Sequence, residues 1–217
     1  MISFTEENYL KAAYTLSEKS GEVSVNELSK MRNSNMPTVN SMVKKLSEKG
    51  YLIYQSYKPV QLTEMGEKTA LLIIRKHRLT EMFLVEKMGF GWEEVHEVAE
   101  QIEHIKSPKF FAKMDELLDY PTVDPHGSPI PDASGKIRWK TYETLDKFNE
   151  GDKLKLVAVN NSNDDFLRYL NSKSITLDIQ IEVISREEFD QNMTVHFNGK
   201  TEVLSPKVTE KLLVEKL

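Results

Sequence analysis

Apolar side chains recur at helical spacing through the first 48 residues and predict three short helices. We expect Thr5 to cap the first of them. Ser24 and Glu27 form the pattern of a capping box, which opens a second helix. Pro37 is tolerated in a first turn and Gly50 is typical of a helix end, so the third helix is expected between them.

A two-stranded hairpin is predicted directly after the third helix, in residues 51–55 and 60–63 around a turn at residues 56–59. Three helices followed by such a wing are the order of a winged helix-turn-helix, a DNA-binding module. The outward face of the third helix is polar and carries no acidic residue before Glu48, which favours the same interpretation. A three-helix bundle without a DNA function also fits the helical spacing.

Hydrogen-bonding and cationic groups on the third helix and in the hairpin are the candidate DNA contacts. The candidates for base edges are Asn35, Pro37, Thr38 and Ser41, with Asn40 on the same polar face, and the candidates for phosphates are Lys44, Lys45 and Lys58. We expect these lysines to set the salt dependence of DNA binding.

The helical pattern continues through residues 64–88 with more apolar surface than one solvated helix can carry. Residues 89–91 break it, residues 92–106 form another helix, and Pro108 opens a further one that ends near Asp119. DNA readers with small modules commonly pair to match a two-fold-related site. We therefore expect these helices to pack between the subunits of a homodimer.

The apolar period changes to two after residues 120–136, a segment with four prolines and two glycines that is expected to form a linker or an ordered loop. Strands are predicted around residues 154–156, 175–183 and 195–204, and Asn198-Gly199 is a strong hairpin signal. A short helix is expected near residues 165–170. The pattern predicts a small barrel-like β-domain of roughly 65 residues.

Length and composition support this picture, since 217 residues with 39% hydrophobic side chains can form more than one compact unit. The sequence contains no apolar run of about 18 residues and no secretory signal pattern, so we expect a cytosolic protein with no membrane partner. It also contains no cysteine. Disulfides and thiolate metal sites are thereby excluded, and any metal must bind nitrogen or oxygen ligands.

Charge is distributed unevenly around the net value of −5. Residues 1–78 contain 12 basic and 8 acidic side chains, whereas residues 79–217 contain 17 basic and 26 acidic ones. A basic first part is consistent with a polyanion partner such as DNA, although charge alone fits ordinary variation along a solvated surface equally well.

Three of the five histidines fall in the predicted central helices together with glutamates at helical spacing. His96, Glu100, Glu103 and His104 share one helix face, because they span an arc of roughly 100°. Such nitrogen and oxygen donors suit Mn²⁺ or Fe²⁺, with Zn²⁺ and Co²⁺ as competitors in vitro. Ordinary solvated glutamates and histidines are the alternative. The grouping of four on one face favours a metal site.

The stretch Arg75–Glu81, followed by Val95–Glu97 and Glu100–His104, closely resembles the iron- and manganese-dependent repressors of the DtxR/MntR family. The similarity extends along nearly the whole chain and includes residues 8–10, 37–39, 62–63, 66, 125–127 and 129–131. The C-terminal β-domain resembles the SH3-like or FeoA-like domain of the longer members. Motifs of this length in this order are highly specific.

This resemblance implies two metal sites. The primary activating site would be formed by Asn8, Glu100, Glu103 and His104. The ancillary site would be formed by His77, Glu81 and His96, and in some relatives it instead recruits the loop and the β-domain, for which the weaker candidates are Asp124, His126 and Asp165. Manganese-type members have a carboxylate where Glu100 stands, so Mn²⁺ is the first choice and Fe²⁺ the second.

Position 8 departs from the family pattern, in which it is commonly Asp or Met. An amide oxygen can bind a hard cation, but it brings no negative charge. The metal preference therefore depends on how Asn8 is placed.

The resemblance implies a mainly α protein of three domains: a winged helix-turn-helix in residues 1–73, a helical metal-binding and dimerisation domain in residues 74–140, and an SH3-like β-domain in residues 150–217. It implies a non-enzymatic repressor that binds double-stranded operator DNA, expected to be an inverted repeat, when loaded with metal. It would control metal-homeostasis genes.

Two alternatives remain at this point. The first is a metal-independent winged-helix regulator that senses a small organic ligand. The second is a metallohydrolase that uses Glu100 or Glu103 as a general base, although the chain lacks a zincin-type His-Glu-x-x-His pattern.

Overall fold

A computed structural model describes residues 2–56, 58–160 and 163–217, apart from the side chains of Lys19 and Ser20. The helices are α1 Phe4–Ser20, α2 Val25–Met31, α3 Met36–Glu48, α4 Glu64–Met88, α5 Val95–Ile102, α6 Pro108–Leu117, α7 Asp164–Ser172 and α8 Pro206–Thr209. The strands are β1 Leu52–Ile53, β2 Gln61–Leu62, β3 Glu143–Thr144, β4 Lys153–Val159, β5 Gln180–Arg186, β6 Met193–Phe197, β7 Lys200–Leu204 and β8 Leu212–Lys216. These elements confirm a mainly α fold with a C-terminal β-domain.

The chain forms two compact units. The first comprises Met1–Thr80, Val98–Thr122 and Ile130–Arg138, and the second comprises Glu81–Glu97, Val123–Pro129 and Trp139–Leu217. Among the described residues, no helix combines the length and the apolarity that crossing a membrane requires.

In the first unit, α1, α2 and α3 pack around one apolar core and are followed by the antiparallel pair β1–β2. The fully buried side chains of this core include Leu10, Ala13, Val23, Val39, Val43, Leu46 and Val60. An isolated bridge between Val23 and Val60 fastens the hairpin to the segment before α2. The predicted winged helix-turn-helix order is confirmed, although β1 and β2 are shorter than expected and Tyr57 in the predicted turn lies outside the described residues.

The prediction that Thr5 caps the first helix is wrong, because Ser3 is the capping residue. The Ser3 hydroxyl accepts the Glu6 N–H, and the Glu6 carboxylate accepts the Ser3 N–H at 2.6 Å. This reciprocal pair satisfies two helix-end donors, so α1 begins one residue before Thr5. By contrast, the predicted capping box of Ser24 and Glu27 on α2 is confirmed.

Glu6 also anchors α1 to the end of α3. Its Oε1 accepts a hydrogen bond from Lys49 Nζ at 2.6 Å and lies 3.2 Å from Lys45 Nζ, while the carboxylate itself is buried. The hydrogen bond from Lys49 is the largest of the effects that lower the pKa of Glu6 to about 2.

Glu6→Gln is expected to flatten the acid limb of the stability profile. Because the folded-state pKa lies below the ordinary value of 4.5, the stabilisation by ionised Glu6 is full above that pH. It is lost as the pH falls towards 2. We expect the free energy of unfolding of the variant to be about 2 kcal/mol lower at pH 7. This is less than the whole change in the Glu6 pKa would give, because solvent screens the lysines.

Urea unfolding at a series of pH values measures this effect. Glu48→Gln, an exposed carboxylate on α3, is the matched control and should keep the wild-type profile. Parallel profiles for wild type and Glu6→Gln between pH 4.5 and 2 would show that the lysines do not stabilise ionised Glu6 in the folded state.

The central helices begin and end close to the predicted positions, with two corrections at α5. Residues 92–94 form a turn instead of helix, in which the Glu94 carboxylate accepts the Gly91 N–H at 3.1 Å. The helix also ends at Ile102 instead of Lys106, and the Lys76 ammonium bonds the Glu103 and Ile105 carbonyls beyond it. A side chain from another helix therefore satisfies carbonyls that a longer α5 would have bonded internally.

The second unit contains an antiparallel six-stranded sheet in the order β3-β8-β4-β5-β6-β7. Asn198 and Gly199 both have positive φ and join β6 to β7 in the predicted hairpin. The predicted strand over residues 175–183 starts only at Gln180, because positive φ at Asp178 interrupts the extended backbone. The sequence pattern did not predict β3, β8 or α8.

Candidate metal centres and nucleic-acid interface

Glu103 is the centre of a buried cluster in the first unit. Its side chain is fully buried, and its Oε2 lies 2.6 Å from His77 Nδ1 on α4. Lys11 Nζ on α1 donates to both Glu103 oxygens at 2.8 Å and also to Glu100 Oε1 on α5. One carboxylate thus contacts side chains from α1 and α4 while lying at the end of α5.

His104 extends this cluster towards the start of α1. Its Nδ1 lies 2.6 Å from Glu7 Oε2, and its Nε2 lies 3.8 Å from Glu103 Oε1. The ring stacks on Phe4, with the ring centroids 4.8 Å apart, which fixes its orientation. Imidazole and carboxylate groups from two distant parts of the sequence therefore lie within reach of a common centre.

Asn8 lies on α1 one turn before Lys11. Its side-chain oxygen is buried and has no hydrogen-bond partner among the described residues. A buried amide oxygen without a partner costs about 1–3 kcal/mol, and a hard cation is one partner that removes this cost. The donors around Glu103 are all nitrogen and oxygen atoms, so they fit a divalent cation such as Mn²⁺ or Fe²⁺.

A second buried cluster lies in the second unit and consists of Glu81, Asp124 and His126, whose ligand atoms lie within 4.8 Å of one another. His126 Nδ1 is 3.9 Å from an oxygen of each carboxylate. His96 reaches the same Glu81 from the exposed side, with its Nδ1 3.3 Å from Glu81 Oε1. This donor set also fits a hard divalent cation.

The loop that carries Asp124 and His126 is held in place by its own backbone. Asp124 Oδ1 accepts the N–H groups of His126 and Ser128 at 2.8 and 2.9 Å. The His126 carbonyl accepts the Val159 N–H on β4 at 2.9 Å. Gly127 has a φ of +85°, and a Cβ there would lie 2.2 Å from the Val157 carbonyl oxygen, so the close approach of this loop to β4 requires glycine.

Trp92 determines which nitrogen of His126 faces the carboxylates. His126 Nε2 lies 2.9 Å from the Trp92 carbonyl oxygen, and the two rings stack with centroids 5.9 Å apart. A carbonyl can only accept, so Nε2 donates to Trp92 and Nδ1 is the nitrogen that faces Glu81 and Asp124. The fold therefore sets which nitrogen of His126 can bind a cation.

The outward face of α3 and the wing form a concave surface in the first unit. A cavity of about 680 Å³ is lined by Asn40 and Lys44 of α3, by Lys58 of the wing and by Asn26 of α2. Tyr54 Oη lies 3.4 Å from Asn40 Oδ1 and connects the wing to α3. Amide and ammonium groups on a concave surface suit a polyanion.

Two of the predicted DNA contacts have intramolecular roles. Asn35 caps α3, because its side chain accepts the Thr38 N–H at 3.0 Å. Lys45 is paired with Glu6 as described above. Both side chains are nevertheless exposed, as are Pro37, Thr38, Ser41 and Lys44.

Comparison with known proteins gives matches along nearly the whole chain. The N-terminal DNA-binding domain of iron-dependent repressors matches residues 1–60, their metal-binding and dimerisation domain matches residues 63–132, and the FeoA domain matches residues 143–216. A solved manganese-dependent transcriptional repressor in complex with manganese is 32% identical with a TM-score of 0.86, over 98% of this chain and 100% of that one. The chain belongs to the iron-dependent repressor family.

Curated members of the iron-dependent repressor family are also similar. The iron-dependent repressor IdeR of Mycobacterium tuberculosis is 35% identical over 127 residues, which are 58% of this chain and 55% of IdeR. The matched segment thus spans about half the length of that relative. The diphtheria toxin repressor of Corynebacterium diphtheriae is 25% identical over 98% of this chain and 97% of its own.

In this member of the iron-dependent repressor family, the structure places several of the predicted ligands in the two clusters described above. His77 Nδ1 lies 2.6 Å from Glu103 Oε2, and His96 Nδ1 lies 3.3 Å from Glu81 Oε1. Glu81 lies with the weaker candidates Asp124 and His126. Asp165 is exposed and lies 3.9 Å from Arg168.

Sequence reasoning missed Glu7, Lys11 and Trp92. A signal for the first two existed, since residues 4, 7, 8 and 11 lie on one face of a helix. If the side chain of residue 8 faces a metal, Glu7 and Lys11 therefore lie near that metal too. Trp92 acts through its backbone carbonyl, which no side-chain pattern reveals.

Proposed function

We propose that this protein is a metal-dependent transcriptional repressor that binds operator DNA as a homodimer when loaded with Mn²⁺. The observation that carries the proposal is the buried cluster around Glu103. It joins α1, which packs in the core of the DNA-binding segment, to α4 and α5. Family membership and the manganese-dependent relative support the same function.

The primary site in this proposal consists of Glu100, Glu103 and His104 with the buried side-chain oxygen of Asn8. When bound, the metal supplies a divalent positive charge that nitrogen and oxygen ligands can share. Mn²⁺ is the proposed physiological ion and Fe²⁺ the second candidate, because the ligand set contains no sulfur donor. Zn²⁺ and Co²⁺ are expected to substitute in vitro.

The second site in this proposal consists of Glu81, Asp124 and His126, with His96 at its exposed side. All three of its core ligands are buried, and the hydrogen bond to the Trp92 carbonyl keeps Nδ1 of His126 towards the two carboxylates. The solved relatives include a repressor with bound Cd²⁺ and with bound Zn²⁺.

Communication with DNA is proposed to run through α1. Glu103 and His104 hold one face of α1 through Lys11 and Glu7, and Glu6 on the same helix holds the end of α3. A shift of α1 at the metal site therefore moves α3, the helix proposed to contact the DNA bases. If metal binds the DNA-competent arrangement preferentially, the coupling free energy between metal binding and DNA binding is typically about 1–3 kcal/mol.

The DNA-binding surface in this proposal is the concave face of α3 and the wing. Pro37, Thr38 and Ser41 are proposed to reach base edges, and Lys44 and Lys58 to contact phosphates. Two subunits would place two copies of α3 on an inverted repeat.

The proposed domains are residues 1–73 for DNA binding, 74–140 for metal binding and dimerisation, and 150–217 for the β-domain. The regulated genes are proposed to serve metal homeostasis.

Fluorescence anisotropy with genomic operator fragments tests the proposal. DNA binding should appear on titration with Mn²⁺ or Fe²⁺ and disappear on addition of a chelator. The reason is that bound metal shifts the population of the protein towards the arrangement that binds DNA. Operator affinity that chelation leaves unchanged would contradict the proposal and favour a regulator that senses a small organic ligand.

A further inference from the structure

We infer that Lys11 is a built-in competitor of the activating metal and sets the metal concentration at which the protein responds. This inference rests on the proposed function of the Glu103 cluster. Lys11 has no role in the predicted ligand set, yet its ammonium group contacts two of the proposed ligands directly.

The contacts of Lys11 use its whole donor capacity. An ammonium group has three N–H donors and no acceptor. Lys11 Nζ contacts three carboxylate oxygens, namely Glu103 Oε1, Glu103 Oε2 and Glu100 Oε1. The side chain is largely buried, so these ion pairs are shielded from the screening that weakens surface pairs.

These oxygens are the ones that a divalent cation would use. A carboxylate oxygen that accepts an ammonium hydrogen bond offers fewer lone pairs to a metal, and two cations on the same carboxylates repel each other. Lys11 must therefore withdraw from Glu100 and Glu103 when the metal binds. The free energy needed to break its three contacts therefore reduces the free energy of metal binding and lowers the metal affinity.

The same contacts give Lys11 a second effect, on the metal-free protein. Glu100 lies in α5 and Glu103 follows its end, and both carboxylates contact the same ammonium group, so their charges repel without a counterion. Lys11 neutralises this repulsion and fastens α1 to the end of α5. The residue therefore stabilises the metal-free fold and weakens metal binding at once, which makes it a determinant of the response threshold.

Lys11→Met tests the inference, because methionine keeps the length and the apolar stem while removing the charge. Isothermal titration calorimetry should give an Mn²⁺ affinity at least about tenfold higher than that of wild type, since the ammonium contacts no longer have to be broken before the metal binds. The thermal midpoint of the metal-free variant should fall, and Mn²⁺ should raise it by more than it raises that of wild type.

Lys76→Met is the matched control for charge alone. Lys76 Nζ also lies beside Glu103, but it bonds the backbone carbonyls of Glu103 and Ile105 at 3.2 and 3.3 Å and not the carboxylate. Its removal should raise the Mn²⁺ affinity much less than Lys11→Met does. Lys11→Gln keeps a neutral donor to Glu103 and gives the measurement if the methionine variant does not fold.

Two outcomes would overturn the inference. One is an Mn²⁺ affinity of Lys11→Met and Lys11→Gln equal to or below that of wild type. The other is an equal gain in Lys76→Met, which would show that only the net charge matters. Both differ from failure of the proposed function, in which wild type itself binds no Mn²⁺.

Discussion

Glu103→Gln is expected to abolish the metal response and to destabilise the metal-free protein. The substitution removes the negative charge at the centre of the cluster and leaves the Lys11 ammonium and the His77 ring without their shared carboxylate. We expect the Mn²⁺ affinity to fall by at least about 100-fold, since changes to groups that only support a ligand already cost 10–100-fold. Breaking the buried ion pair should lower the free energy of unfolding by about 3 kcal/mol.

Glu81→Gln is the matched control, because it neutralises a buried carboxylate of the second cluster. Calorimetry should show that Glu81→Gln keeps the binding event that Glu103→Gln loses, while the total number of bound Mn²⁺ ions falls. If Glu103→Gln binds Mn²⁺ and operator DNA as wild type does, the Glu103 cluster is not the activating site.

Lys44→Glu is expected to have the largest effect on DNA affinity among surface substitutions. Lys44 is exposed on the outward face of α3 and lines the same concave surface as Lys58. A dimer would lose two phosphate contacts, which should reduce the slope of log affinity against log salt by about 2. Operator affinity should fall at least about tenfold at physiological salt, and Mn²⁺ affinity should stay unchanged.

Anisotropy titrations at several salt concentrations measure both the affinity and the slope. Lys155→Glu makes the same charge change in β4 and removes only an ion pair with the largely exposed Asp178, so DNA binding should be retained. A Lys44→Glu protein with the wild-type salt slope would show that this face of α3 does not contact phosphates.

The two predictions separate metal binding from DNA binding. Glu103→Gln should lose metal binding and, with it, metal-dependent DNA binding. Lys44→Glu should lose DNA binding alone. A repressor in which α1 links the metal cluster to α3 requires both results, because Lys11 of α1 contacts Glu103 while Glu6 of the same helix contacts Lys49 at the end of α3.

Much of the fold followed from local pattern. The capping box of Ser24 and Glu27, proline in the first turn of α3 and of α6, and the Asn198-Gly199 turn each fix a boundary within a few residues. These boundaries were predictable because the interactions that set them lie within one turn of the chain. The end of α5 was not predicted because a distant group, Lys76, bonds the carbonyls beyond it. The starts of α1, α5 and β5 were missed although local groups set them, namely the Ser3 cap, the Gly91–Glu94 turn and the positive φ at Asp178.

The sequence by itself determined which chemical groups a metal site could contain. Five histidines, no cysteine and glutamates at helical spacing limit the donors to nitrogen and oxygen, and that conclusion needs no coordinates. The resemblance of the sequence to the iron-dependent repressor family then implied which residues would be ligands.

Only the tertiary structure decided how those groups are combined. Glu7 and Lys11 are more than 85 positions away from the groups they contact, His104 and Glu103 respectively. Likewise, Asp124 and His126 join Glu81 through a loop whose path depends on glycine at position 127. Helical spacing fixes which face a side chain occupies, but the packing of one helix against another fixes what that face meets. The cluster around Glu103 is therefore held against α1, with Lys11 bonded to its central carboxylate.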